Sequence, residues 1–205
     1  MIDRLLLPPL ARILAPPARL LRRAGVSADA ITLAGFAIGL LGAALIATGH
    51  FGAGLAAILT GRLFDGLDGA VARLAGPTDR GAFLDIALDF FFYGTVPLAF
   101  AMADPTANAL PAAALLLAFI GTGSSFLAFA VIAERRGLAS SAFPQKGLYY
   151  LGGLTEGAET LAFFVAMCLC PAWFAPLAWV FAALCGVTAL MRWCWGWRAF
   201  QNRLT

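Results

Sequence analysis

Charge is what this chain has least of. Lys and Arg number 14 and Asp and Glu 11 among 205 residues, 12% in all, where a soluble domain carries about a quarter. The shortage excludes an ordinary soluble protein. With 61% hydrophobic residues and a mean hydropathy of +0.86, the composition is that of an integral membrane protein. Cysteine is scarce too. Cys168, Cys170, Cys185 and Cys194 all fall in apolar runs, and Cys168-x-Cys170 has neither the spacing nor the histidine partners of a zinc site, so all four read as buried small hydrophobes. The single histidine, His50, reads as an interfacial side chain. An uncharged apolar stretch at the N-terminus is also missing. Pro8, Pro9, Pro16, Pro17 and several arginines interrupt residues 1–24, so no signal peptide is expected and targeting falls to the first true span.

What is present is a series of apolar segments near the length that crosses about 30 Å of hydrocarbon. Six are expected, at residues 30–48, 53–73, 82–102, 110–133, 149–170 and 173–193. The connections hold the breakers Gly49, Gly52, Gly76-Pro77, Asp104-Pro105, Pro144 and Pro171. Eleven of the basic residues, among them Arg22, Arg23, Arg80, Arg135, Arg136, Lys146 and Arg198, fall in alternate connections and the two tails. By the positive-inside rule both termini are cytoplasmic. Residues 1–205 are expected to form one all-α membrane domain: a cytoplasmic or interfacial segment over 1–29, then a six-helix bundle over 30–197. The first segment alternates apolar and basic residues, as an amphipathic helix on an anionic surface would. Net charge +3 is explained by topology, so nothing points to nucleic acid.

Against that background, Asp65, Asp68, Asp85 and Asp89 stand out. The orientation brings all four to one depth, at the cytoplasmic ends of spans two and three. On span two Arg62, Asp65, Asp68, Gly69, Ala72 and Arg73 fall within a sector of about 140°, and Gly81, Asp85 and Asp89 share a face of span three. Ionised carboxylates in a membrane cost several kcal/mol unless compensated. Hard divalent cations compensate them: Mg²⁺ and Ca²⁺ take carboxylate oxygens, and four aspartates on two helices can hold two ions. Two ions would leave charge for a diphosphate, and Gly69 and Ala72 would let it approach the backbone. The plainer reading pairs Asp65 with Arg73 and Asp68 with Arg62, the small residues serving helix packing.

The run Asp65-x-x-Asp68-Gly69-x-x-Ala72-Arg73, followed by Gly81-x-x-x-Asp85-x-x-x-Asp89, resembles the signature of the CDP-alcohol phosphotransferases (CDP-alcohol phosphatidyltransferases). Seven residues separate Arg73 from Gly81, where the family usually has eight; the missing one falls in the Gly76-Pro77 turn. The resemblance implies a usually dimeric membrane enzyme of phospholipid synthesis that moves a phosphatidyl or other phospho-alcohol group from a CDP-linked donor to an acceptor hydroxyl, releasing CMP. CDP-diacylglycerol is the favoured donor, because a site opening between apolar helices suits two acyl chains. It further implies two divalent cations, Mg²⁺ or Mn²⁺ with Ca²⁺ substituting or inhibiting, held by Asp65, Asp68, Asp85 and Asp89. Asp89 is also the implied general base, and Gly69, Ala72, Arg73 and Gly81 the donor contacts.

The acceptor is less determined. Lys146 stands at the cytoplasmic mouth, and Tyr149, Gly152, Gly153, Glu156, Glu159 and Thr160 are expected on one face of span five. Intramembrane glutamates mark function by default, so Glu156 and Glu159 are candidates for an acceptor offering hydroxyl or ammonium donors, with Lys146 the candidate for a phosphorylated one. The alternative from another class is a divalent-cation transporter, whose cluster belongs nearer the midplane.

Overall fold

The computed structural model describes residues 3–137 and 153–201. All regular secondary structure in that range is helical. Seven helices follow one another: α1 (Asp3–Arg23), α2 (Ala28–Ala47), α3 (Phe51–Ala75), α4 (Asp79–Ala103), α5 (Pro105–Arg135), α6 (Gly157–Leu169) and α7 (Phe174–Ala199), the last preceded by a 3₁₀ turn at Pro171–Trp173. Their ends lie where the breakers stand. Gly49 and Gly76 take positive φ of 83° and 96° in the α2–α3 and α3–α4 turns, a conformation open to glycine at little cost. Asp104 accepts the Ala107 amide at 3.1 Å and Pro105 opens α5, while Thr78 accepts the Gly81 amide at 3.1 Å and caps α4.

Four of these segments, α2, α4, α5 and residues 171–199, are long and apolar enough to cross a membrane. The other two expected spans differ for separate reasons. Helix α3 is long enough at 25 residues but carries Arg62, Asp65, Asp68 and Arg73, so its length is right and its charge is not. Helix α6 has 13 residues and starts at Gly157, eight residues after the expected start, although 149–152 lie outside the described residues. Gly153–Glu156 are not helical, so the face expected to unite Gly153 with Glu156 and Thr160 does not exist. Glu156 and Glu159 form a capping box instead, with the Glu156 amide donating to Glu159 Oε2 at 3.1 Å.

Two apolar clusters bracket the aspartates. The larger contains Ile46, Ile58, Phe92, Val96, Phe100, Leu115, Phe164, Phe174 and Phe181 from six helices. Its aromatic stacks include Phe100 on Phe174 at 4.4 Å between centroids. The smaller cluster gathers Leu14 and Ala18 of α1 with Ile31, Ala70 and Val71. It seats the amphipathic helix on α3, and Arg22 of α1 donates to the Leu74 carbonyl. Helix α1 runs through Pro16 and Pro17, both exposed, although each ring removes an amide donor from the helix.

Close approach of α2 and α3 completes the frame. A Cβ on Gly61 would lie 2.9 Å from the Gly35 carbonyl oxygen, and one on Gly42 2.9 Å from that of Gly54. Only glycine permits this contact, the small-residue packing that draws helices together in a membrane.

Candidate functional site

The four aspartates occupy the C-terminal half of α3 and the first turns of α4. Asp65, Asp68 and Asp85 each offer a carboxylate oxygen, and these lie within 4.8 Å of one another. Asp89, one turn beyond Asp85, is bonded by the Arg62 guanidinium. Arg62 also lies 3.6 Å from Asp65. The simple pairing of Arg62 with Asp68 and of Arg73 with Asp65 is therefore corrected. Residues six or eight apart are not neighbours along a helix, whereas Arg62 and Asp65 at i,i+3 are.

Asp68 is the most enclosed of the set, 5% exposed. Its Oδ2 has no hydrogen-bond partner among the described residues, which for a buried carboxylate is costly. The three converging groups offer oxygen only, the donor chemistry that hard divalent cations prefer over sulfur or nitrogen. The residues present thus fit a divalent cation. A small cleft bounded by Thr32, Gly35 and Phe36 of α2, Arg62 and Asp65 of α3, and Asp85 and Asp89 of α4 lies beside the group.

The small residues of the motif also have identifiable work. A Cβ on Gly69 would come within 3.3 Å of Arg73 Nη1, so Gly69 leaves room beneath that exposed guanidinium. At Gly81 a Cβ would sit 3.2 Å from Thr78 Oγ1 and 3.4 Å from Asp29 Oδ1. Asp29 itself pairs with exposed Arg80 at 2.5 Å and ties the start of α2 to the start of α4. Asp29 went unassigned in the sequence, where only its position near the start of the first span marked it.

The acceptor candidates are not brought into this cluster by any described contact. Lys146, Tyr149 and Gly152 lie outside the described residues. Glu156 accepts the Gly153 amide at 3.2 Å besides its part in the capping box, which gives both glutamates a structural task that their sequence positions concealed. Nearby, Thr155 bonds Thr188 of α7 through its hydroxyl at 3.0 Å. Arg192, 8% exposed in α7, donates to the Thr122 carbonyl at 2.9 Å and lies 5.6 Å from the Phe126 ring. A lone arginine in the last apolar run was the signal for this buried cation, and the topology count passed over it.

Comparison with known proteins gives consistent results. The family model described as CDP-alcohol phosphatidyltransferase matches residues 26–193. Inner membrane protein YnjF of Escherichia coli (strain K12) is 52% identical over 192 residues, 94% of this chain and 93% of that protein. Among solved structures, Mycobacterium tuberculosis phosphatidylinositol phosphate synthase (PgsA1) with CDP-DAG bound superposes with a TM-score of 0.75 at 26% identity, covering 95% of this chain and 99% of that one. The same synthase in complex with manganese and citrate gives 0.73 at 26% identity, over 94% and 93% of the two chains.

Proposed function

The chain belongs to the CDP-alcohol phosphatidyltransferase family, and we propose that it transfers a phosphatidyl group from CDP-diacylglycerol to an acceptor hydroxyl, releasing CMP, at the cytoplasmic face of an inner membrane. It is a membrane transferase, and membership supersedes the cation-transporter alternative. The observation that supports the specific reading is the convergence of Asp65, Asp68 and Asp85, with Asp89 joined to Asp65 through Arg62, beside a cleft between α2, α3 and α4. The related synthase with CDP-DAG bound supports the choice of donor, and the name of the E. coli relative supports the location. Six spans, α2 to α7, with both termini cytoplasmic and two copies forming a homodimer, are the proposed architecture.

Asp65, Asp68 and Asp85 would hold two Mg²⁺ or Mn²⁺ ions, with Asp89 at the edge of the set. When bound, such ions neutralise the diphosphate and stabilise the departing CMP oxygen. The chain's own groups do the rest. Gly69 and Ala72 keep the α3 face low enough for the nucleotide diphosphate, and Arg73 offers a planar fork to phosphate oxygens. Gly81 opens the same space from α4. Asp89, one turn past Asp85, takes the proton of the acceptor hydroxyl as that oxygen forms its bond to the β-phosphorus of the donor and the bond to the CMP oxygen breaks. Lys146, Glu156 and Glu159 remain the proposed acceptor contacts. A carboxylate has about four acceptor positions, so a capping role and a bond to a hydroxyl or ammonium group are compatible.

Purified protein incubated with CDP-diacylglycerol, Mn²⁺ and a panel of alcohols, phosphorylated alcohols and polyols should release CMP with one class. If CDP-diacylglycerol stays intact with every acceptor while another CDP-alcohol is consumed, the proposed donor is wrong.

A further inference from the structure

Helix α1 presents three edges, and each meets different surroundings. At 100° per residue Leu14, Ala18 and Leu21 share the edge that packs on the protein, where Leu14 and Ala18 are buried against Ile31, Ala70 and Val71. Arg12, Arg19 and Arg23 fall within about 40° of one another on a second edge, and all three are exposed. Residues 10–24 contain no Asp or Glu, and among the described residues no carboxylate pairs with these arginines. The third edge is apolar and open. Ile13 and Leu20 lie about a quarter turn from the basic edge, each 69% exposed.

The packed edge reaches the back of the aspartate motif. Leu14 sits in the notch left by Gly66, where a Cβ would come 2.9 Å from its Cδ1; Gly66 stands between Asp65 and Asp68 in the sequence. At the other end Arg22 donates to the Leu74 carbonyl. The helix then stops sharply: Gly25 takes a φ of 78°, and the Val26 amide bonds the Leu21 carbonyl at 3.0 Å, closing a Schellman turn. Two residues later α2 begins, a helix long and apolar enough to span a membrane. That short turn holds α1 beside the membrane surface. An apolar edge next to a basic one matches a leaflet, which offers acyl chains and headgroup phosphates a few ångströms apart. An acidic protein or a nucleic acid would leave Ile13 and Leu20 uncovered.

We infer that the Arg12–Arg19–Arg23 edge of α1 binds anionic phospholipid in preference to neutral, and that this docking steadies the α3 segment carrying Asp65 and Asp68 through the Leu14–Gly66 contact and the Arg22–Leu74 bond. The inference goes beyond the reaction proposed above and holds whichever group the protein transfers. Attraction of three arginines to the leaflet draws α1 toward its lipid edge. Because α1 is packed on α3 and tied by a tight turn to α2, the pull limits opening of the end of α3 that it covers.

The test uses full-length protein without its four native cysteines, with bimane on Ile13→Cys, in nanodiscs of phosphatidylcholine containing about 30% phosphatidylglycerol. Bromine on the acyl chains of phosphatidylglycerol should quench the dye at least about twofold more, per brominated lipid, than bromine on phosphatidylcholine. The combined Arg12→Gln, Arg19→Gln and Arg23→Gln variant should lose that preference, and so should the parent protein in about 0.5 M salt. Amide hydrogen exchange in the unlabelled protein reads the second half. Residues 66–75 should exchange at least about threefold more slowly with phosphatidylglycerol than in phosphatidylcholine alone, while α7 is unchanged and the triple variant shows no difference. Equal quenching by the two lipids overturns the inference, as does a preference that survives the loss of the three arginines. Selective quenching with residues 66–75 exchanging alike in both lipids, or with α7 slowed equally, overturns it too. Should the triple variant not fold, the salt measurement decides: a preference kept in high salt is not one of charge, and the inference fails. Neither readout uses CMP release, so a wrong donor leaves the result intact.

Discussion

At the scale of the residue, the arrangement predicts that the aspartates fail in different ways. Asp68 is enclosed, and its Oδ2 finds no protein partner among the described residues, so Asp68→Asn removes a ligand from the middle of the set. Mn²⁺ binding and CMP release should both fall. Asp89 is bonded by Arg62, which also reaches Asp65. Asp89→Asn should leave CDP-donor binding within about twofold and lower transfer by roughly a hundredfold or more, as expected when a general base is lost from a formed site. Isotopic donor binding measured beside CMP release separates the two. Wild-type CMP release by Asp89→Asn would remove it from the role of base. The carboxylates themselves were legible in the sequence, because charge is rare in this chain and eight motif residues fall within 25 positions. The Arg62–Asp89 bond was not. It joins residues 27 apart, and helical spacing orders only residues on the same helix. The capping box of Glu156 and Glu159 was not legible either: their i,i+3 spacing suits a helix face and a capping box equally well, and only the helix start at Gly157 reveals the box.

At the scale of the element, the site depends on how near α2 lies to α3. Gly35 and Gly61 both border the cleft, and a methyl on Gly61 would meet the Gly35 carbonyl at 2.9 Å. Backbone cannot step aside as a flexible side chain can. Gly61→Ala is therefore expected to cost about 1–3 kcal/mol in overpacking, lowering Tm by about 2–10 °C, and to reduce Mn²⁺ binding by parting the helices that frame Arg62 and Asp65. Gly52→Ala, where an added Cβ meets nothing within 4 Å, should leave both unchanged. Thermal unfolding in detergent and Mn²⁺ titration of the two variants check this. Equal behaviour of Gly61→Ala and wild type would show that α2 yields without disturbing the site. Helix existence and most boundaries could be read in advance, since Gly49, Gly76, Asp104-Pro105 and Pro171 punctuate apolar runs. Which glycines pack helices and which only turn the chain was harder to read: Gly35 and Gly39 stand in a G-x-x-x-G spacing, but Gly61 carries no local mark that sets it apart from Gly52.

At the scale of the whole molecule, the proposed chemistry needs the aspartates on the side where the nucleotide donor resides. Charge supplies the argument. Arg22, Arg23, Arg80, Arg135, Arg136 and Arg198 flank the ends of α1, α4, α5 and α7, while the turns at Gly49–His50 and Asp104 and the stretch around Pro171 hold neither Lys nor Arg. Orientation follows such asymmetry. Helix α1 agrees with it, being amphipathic, arginine-rich and seated on the same end of α3 that carries Ala70, Val71 and Leu74, as a helix lying along an anionic leaflet would. Single cysteines placed at His50, Asp104 or Arg80 in a form without the four native cysteines test the arrangement. In intact cells a membrane-impermeant maleimide should label those at His50 and Asp104, and label that at Arg80 only after the membrane is opened. Arg80 lies on α4 five residues before Asp85, so it reports the side of the aspartates nearly directly. Labelling of Arg80→Cys from outside, with protection at His50 and Asp104, would set the carboxylates on the face away from cytoplasmic CDP-diacylglycerol, and the proposed transfer would then have no donor within reach.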